Sequence, residues 1–383
     1  MRDRGAVFGQ VYGWERPNWF ALEGVEAKDI WSFRRTNYFE HVGNECRHVH
    51  EKVGLLDMTA FSKFEVAGPG AAAWLDGLVS NHIPKNVGRI NLCYLLSENG
   101  GVRSEFTIFR EAPERFYLVS AGAMERHDFD YLTKLLPSDG SVRLHNVTTQ
   151  NGVFVVAGPH ARDVLQKVTD TSLANQDFKW LSGQTINVGY ANARALRVNF
   201  VGKLGWELHH PIEMQNYIFD LLVDAGDEFD LKPFGIRAMD SLRVEKSYRL
   251  IPRELSIEYA ALESGLQRFV HLNKGPFIGA AALADWQQRG FKYQYVTMEV
   301  HDVTDADARG SEPIYNNGEI VGRATSGNYG WRVGKSLALA IIPPGLTEIG
   351  TNLEIEILGE RHRATVIEES PFDPENQRLR DVA

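Results

Sequence analysis

The stretch Phe64-Glu-Val-Ala-Gly-Pro-Gly-Ala-Ala-Ala-Trp-Leu75 returns in degenerate form 90 residues later as Phe154-Val-Val-Ala-Gly-Pro-His-Ala-Arg-Asp-Val-Leu165. In each copy a β-rich run meets Gly-Pro and passes into a segment that carries alanine and leucine in a helical pattern. Proline cannot donate to a strand ladder, and its fixed φ suits the first turn of a helix, so strand should give way to helix there. Two copies are too few for a solenoid. Two related α+β units are expected instead. From about Tyr293 the character changes, and short apolar runs alternate with turn signals such as Asn316-Asn-Gly318, Ser326-Gly327 and Pro343-Pro-Gly345. That pattern predicts a helix-poor β-barrel or sandwich. The expected division is 1–60 with 151–250, 61–150 with 251–289, and 290–383, in an α+β class overall.

Composition narrows the function classes. A chain of 383 residues is too long for one ordinary core, and 43% hydrophobic with 24% charged residues excludes wholesale disorder. The 41 Lys and Arg against 50 Asp and Glu leave a net charge of −9, which argues against a general nucleic-acid binder. Two cysteines, Cys46 and Cys93, support neither a disulfide framework nor a thiolate zinc site. The opening Met1-Arg-Asp-Arg-Gly5 lacks the apolar stretch of a secretory signal. The longest apolar run, Leu337-Ala-Leu-Ala-Ile-Ile342, is far shorter than the ~20 residues that cross a bilayer and reads as a buried strand. A cytoplasmic protein with no membrane and no nucleic-acid partner is expected. Adjacent His209 and His210 face opposite sides of a strand and cannot chelate together, so no metal is expected. P-loop, dinucleotide-fold, nucleophile-elbow and His-Glu-x-x-His signatures are all missing from the sequence.

Three segments stand out for chemistry. In Asn99-Gly-Gly-Val-Arg-Ser-Glu-Phe-Thr107, two glycines allow a tight reversal, after which Arg103 and Glu105 share one strand face. Glu105 can then reach a ligand, or it can simply sit solvated on an edge strand. In Phe234-Gly-Ile-Arg-Ala-Met-Asp-Ser-Leu-Arg-Val-Glu-Lys246, Arg237, Asp240 and Arg243 follow at i, i+3 spacing. The plain account is a charge ladder along a helix; the sharper one is a guanidinium that clamps a flat or carboxylated ligand. Tyr12-Gly-Trp-Glu-Arg-Pro-Asn-Trp-Phe-Ala21 is dense in aromatics and is read as a surface wrap that plugs its rings into a core.

Together these segments resemble the folate-dependent aminomethyltransferase (glycine-cleavage T-protein) family, and most of all the folate-binding C-terminal portion of dimethylglycine and sarcosine dehydrogenases. The resemblance runs through Tyr12–Ala21, Phe61-Ser-Lys-Phe-Glu-Val-Ala-Gly-Pro-Gly70, Gly100-Gly-Val-Arg-Ser-Glu105, Val201-Gly-Lys-Leu-Gly-Trp-Glu-Leu208, Phe234–Lys246 and Ala324-Thr-Ser-Gly-Asn-Tyr-Gly-Trp-Arg-Val-Gly-Lys-Ser-Leu-Ala338. It implies a three-domain cloverleaf around a channel that holds tetrahydrofolate. Glu105 falls where the family carries a carboxylate, usually Asp, close to the folate nitrogen that accepts the carbon. Arg237 matches a folate-contacting arginine, and Ser120 stands where many members have a folate-contacting Asn. Leu92 replaces a family tyrosine, and Tyr94 and Trp206 complete the implied folate-binding set. Lys203 replaces a Glu that the resemblance assigns to the pterin. A lysine donates and cannot accept, so either another carboxylate holds the pterin, with Glu207 the candidate substitute, or pterin binding is weakened, or the ligand has changed.

The relatives named by this resemblance carry a flavin domain that these residues do not include, so no flavin is expected within the chain. Three readings follow. The first is tetrahydrofolate-dependent transfer of a methyl or other one-carbon unit from a small N-, O- or S-methylated compound. The second is a folate-binding subunit that captures formaldehyde or an iminium from a partner flavoprotein dehydrogenase. The third is a non-catalytic binding protein on the same fold, favoured by Lys203 and Leu92 and opposed by Glu105 and Arg237.

Overall fold

The computed structural model describes residues 1–381. Both copies of the repeat form strand, turn and helix: Ser62–Ala67 leads to Ala71–Leu78, and Asn151–Ala157 leads to Ala161–Gln166. The turn glycines adopt nearly the same left-handed backbone, with φ of 132° at Gly68 and 136° at Gly158. Each also lies hard against a neighbouring carbonyl: a Cβ at Gly68 would sit 2.2 Å from Ser141 O, and one at Gly158 2.3 Å from Lys52 O. The repeat therefore preserves a close backbone approach that only glycine permits.

The two strands lie inside two different mixed-order sheets. Asn151–Ala157 belongs to a six-stranded sheet ordered Gly183–Val188, Ala191–Leu196, Gly205–Pro211, Asn151–Ala157, Gly54–Asp57, Lys232–Pro233. Ser62–Ala67 belongs to a five-stranded sheet ordered Ile90–Leu96, Val102–Ala112, Arg115–Ser120, Ser62–Ala67, Arg143–Asn146. Each repeat helix closes one face of its sheet: Ala71, Leu75 and Leu78 pack with Phe64, Phe106 and Leu118, and Ala161, Val164 and Leu165 with Phe154 and Trp206.

The last third is a closed six-stranded barrel, ordered Gln294–Val300, Lys335–Ile342, Glu319–Gly330, Pro313–Asn316, Asn352–Ile357, Glu360–Ile367 and closing back on Gln294–Val300. Closure removes the exposed edges that a sandwich would leave. The apolar run Leu337–Ile342 is a fully buried barrel strand. Among the described residues, no helix is long and apolar enough to cross a membrane.

One local expectation shifts. The aromatic segment at the N-terminus is the second strand of a hairpin, Ala6–Val11 with Trp14–Phe20, and does more than wrap the surface. Its residues alternate. Pro17 and Trp19 turn into the core, whereas Trp14, Arg16 and Asn18 share the other face.

Candidate functional site

That second face of the hairpin lines a central cavity of about 1230 Å³. The helix Ile236–Val244, strands of both sheets and the barrel segment around Asn328 and Trp331 supply the remaining walls. Six of the eight residues singled out in the sequence meet there: Leu92, Tyr94, Glu105, Ser120, Glu207 and Arg237. The cross-strand register explains the first three. Tyr94 pairs with Glu105 and Leu92 with Thr107, so alternate residues of Ile90–Leu96 and Val102–Ala112 reach the same space.

Glu105 is half-buried in the wall. Burial pushes its carboxyl up from 4.5 to about 7, against the opposing pull of a hydrogen bond with Tyr94 and the charge of Arg249. A carboxyl poised there can hold or release a proton near neutrality. Ser120 also faces the cavity, but its hydroxyl donates to Asp128 Oδ2 at 2.7 Å. Asp128 is fully buried and takes a second hydroxyl, from Ser104, at 2.5 Å. Ser120 is left with lone pairs for a ligand, and so can accept where an Asn would also donate.

Arg237 is already forked onto Asp29, with Nη1 to Oδ1 at 2.5 Å and Nη2 to Oδ2 at 3.1 Å, and its guanidinium lies 3.7 Å from the centre of the Tyr38 ring. Burial works against the Asp29 charge, yet hydrogen bonds from Arg237 and Trp19 outweigh it and hold the carboxyl below its usual range. Asp29 thus fixes the orientation of Arg237 at the wall.

Glu207 projects from Gly205–Pro211 into the cavity, and burial raises its carboxyl to about 8. Its Oε2 lies 3.2 Å from His209 Nε2, and His209 Nδ1 lies 3.1 Å from the Tyr117 hydroxyl. His209 is pushed well below its ordinary pKa by burial and by Lys63, Arg194 and His210.

Lys203 and Trp206 stand outside the lining, contrary to the sequence expectation. Trp206 neighbours Glu207 on the strand, so alternation sends it the other way, into the core edge-on to Phe178. Lys203 precedes the strand, in the bend after Val201, so strand parity with Glu207 does not apply to it. It is buried with its Nζ 5.6 Å from the Phe372 ring centre, and burial together with Arg378 and Arg332 lowers its pKa to about 7. A lysine there leaves the cavity's acceptor, Glu207, untouched. Sequence reasoning also missed Arg16, Tyr38, Asp240 and Arg249 as lining residues. For Arg16 the signal was present as the two-residue alternation through Trp14, Arg16 and Asn18. Among the described residues, no group of three or more His, Cys, Asp or Glu is placed to hold a metal ion.

Comparison with known proteins matches residues 1–274 to the GCVT N-terminal domain and residues 294–373 to the glycine cleavage T-protein C-terminal barrel domain. The mitochondrial dimethylglycine dehydrogenase of Mus musculus is 38% identical over 359 residues, which cover 93% of this chain and 41% of that protein. The 4-methylaminobutanoate oxidase (formaldehyde-forming) of Paenarthrobacter nicotinovorans is 29% identical over 99% of this chain and 46% of its own length. The chain therefore spans less than half of either relative. An aminomethyltransferase of Thermoanaerobacter sp. (strain X514) is 28% identical over 86% of this chain and 89% of that protein. The glycine cleavage system aminomethyltransferase T of Bartonella henselae has the same fold, with a TM-score of 0.84 over 97% of this chain and 96% of that one at 23% identity.

Proposed function

The chain belongs to the glycine-cleavage T-protein (aminomethyltransferase) family, and from that premise we propose that its cavity binds tetrahydrofolate and transfers to it a one-carbon unit from a small N-, O- or S-methylated compound. The observation that carries this reading is Glu105, a wall carboxyl titrating near 7 beside Tyr94 and Arg249 in a cavity large enough for such a ligand. The aromatic lining suits a flat ring system, with Tyr38, Phe200, Tyr248 and Trp331 all facing the cavity. Glu207 fits the donor-rich edge of a pterin, since a carboxyl can accept from its amino and ring N–H groups.

When bound, tetrahydrofolate supplies the nucleophilic nitrogen that receives the carbon. The chain's own contribution is alignment of donor and acceptor, which can account for much of a rate, and proton handling at the Glu105 carboxyl oxygens. Glu207 holds the flat ring in register, with His209 and Tyr117 fixing its carboxyl. Asp29 holds Arg237 where its remaining N–H donors meet an anionic or carbonyl group. The domain division given from the sequence is part of the same reading and is supported by the membership of the strands in two sheets and a barrel.

A second reading, capture of formaldehyde or an iminium delivered by a partner flavoprotein, is favoured by one observation. The chain is similar to relatives named as a dehydrogenase and a formaldehyde-forming oxidase. Titration with tetrahydrofolate followed by Trp fluorescence tests both readings, and no binding at millimolar ligand defeats both. If folate binds, incubation with methylated compounds separates them. Methyl-tetrahydrofolate formed without added enzyme or oxidant supports direct transfer, whereas methylene-tetrahydrofolate formed only with formaldehyde supports capture.

A further inference from the structure

Beyond its last strand, Glu360–Ile367, the chain leaves the barrel and crosses to the unit built on the six-stranded sheet. On the way it closes part of the cavity wall, where Asn376, Leu379 and Arg380 stand beside Trp180 and Leu181. The two ends of this crossing segment, residues 372–381, are held unequally. At the first end Phe372 N–H donates to Glu245 O at 3.1 Å, and Lys246 Nζ donates to the carbonyls of Phe372 and Asp373 at 3.1 and 2.6 Å. The Arg332 guanidinium lies 3.8 Å from the centre of the Phe372 ring. Phe372, Glu245 and Lys246 are all buried. At the far end Arg162 pairs with the Asp381 carboxylate, Asn175 Nδ2 donates to Asp381 O at 3.1 Å, and Arg197 Nη2 donates to Arg380 O at 3.0 Å. The Asp381 side chain is 38% exposed, so solvent screens its ion pair.

Between these ends the backbone bonds to its own segment. Gln377 and Arg378 N–H donate to the Asp373 carboxylate at 2.9 and 3.1 Å, and Arg380 N–H donates to Asn376 O at 3.0 Å. Leu379 is the one buried side chain among residues 373–381. Three residues with a Cβ stand in the left-handed region, Asp373, Asn376 and Asp381, with φ of 45°, 59° and 57°. That conformation costs free energy even at Asp and Asn. Strain at Asp381 therefore works against the weaker end, and the turn at Asp373 marks where the firmly held part stops.

We propose that residues 373–381 form a latch on the cavity, hinged at Asp373 and released at the Asp381 end, whose opening admits and discharges the ligand. That this ligand is tetrahydrofolate rests on the function proposed above. Release exchanges one half-exposed ion pair and two hydrogen bonds for hydration of the same groups, and Leu379 supplies the apolar contact that is lost. Phe372 stays docked, so the barrel and both sheets keep their packing while the wall opens.

The test uses the full chain and two variants, Asp381→Asn and Arg162→Gln. Trypsin must draw Leu379 out of its burial to cut after Arg378, so that cleavage, timed by mass spectrometry without ligand, reports opening. Both variants should speed it by at least about threefold, with cleavage after the exposed Arg289 unchanged as the check on the rest of the fold. Tetrahydrofolate binding is then followed by stopped-flow Trp fluorescence, since Trp180 lies against Arg380, 4.5 Å from guanidinium to ring centre. Asp381→Asn should raise the association and dissociation rate constants by the same factor of about three to ten and leave Kd within about twofold. A fixed wall would lose affinity through dissociation alone. Unaltered cleavage after Arg378 in both variants overturns the latch, and so does an association rate equal to wild type. If tetrahydrofolate does not bind at all, the proposed function falls, and the cleavage rates alone decide the latch.

Discussion

Replacing Glu105 by Gln removes a charge while keeping size and shape. Burial raises the Glu105 carboxyl from 4.5 to about 7, so the folded chain binds that proton more tightly than the unfolded chain does. Stability must therefore fall as pH rises from about 4.5 to about 7 and stay low above it. The difference between 4.5 and about 7 corresponds to roughly 3 kcal/mol at ~1.36 kcal/mol per pH unit. A half-buried carboxyl is open to solvent screening, so about 1–3 kcal/mol is the expected effect. At pH 4.5 and below both proteins are neutral at this position and should unfold at the same urea concentration. At pH 8.5 the Gln variant should be the more stable by that amount. Taking the difference between the two proteins cancels the other buried groups that titrate in the same window, Glu207 and Lys203 among them. A difference that is the same at pH 4.5 and pH 8.5 would refute the burial argument. Turnover in the variant should lose the pH limb centred near 7, and turnover equal to wild type at every pH would remove Glu105 from the proton-handling role.

Three further outcomes follow from the geometry. Lys203→Glu restores the residue implied by the resemblance, but at a position outside the cavity, so tetrahydrofolate affinity should stay within about twofold; isothermal titration measures it. Asp29→Asn breaks the fork on Arg237 and should cost about 1–3 kcal/mol in urea unfolding at pH 7. The cost should shrink as pH falls below the usual carboxylate range, because an aspartate held below that range adds stability only while it is ionised.

The Gly-Pro repeat was legible because strand, turn and helix are each encoded within a dozen residues, whereas the steric demand on Gly68 and Gly158 comes from Ser141 and Lys52, distant in the chain. The barrel was legible for a similar reason, since short apolar runs and turn residues recur along it. Choosing a closed barrel over a sandwich required the pairing of Gln294–Val300 with Glu360–Ile367, a contact between distant parts of the chain.

The site divides in the same way. The sequence by itself determined that a carboxylate follows a glycine turn at Glu105 and that a guanidinium opens the helix at Arg237. Only the tertiary structure decided which strand faces border the cavity, and so admitted Glu207 while turning Trp206 into the core. It also decided that Arg237 is bound by Asp29, 208 residues away, and that Arg16 is bound by nothing among the described residues. Periodicity fixes which residues share a face. What that face meets depends on packing between distant elements, and the free energy of an ion depends on whether that packing brings it a counter-charge or only removes its water.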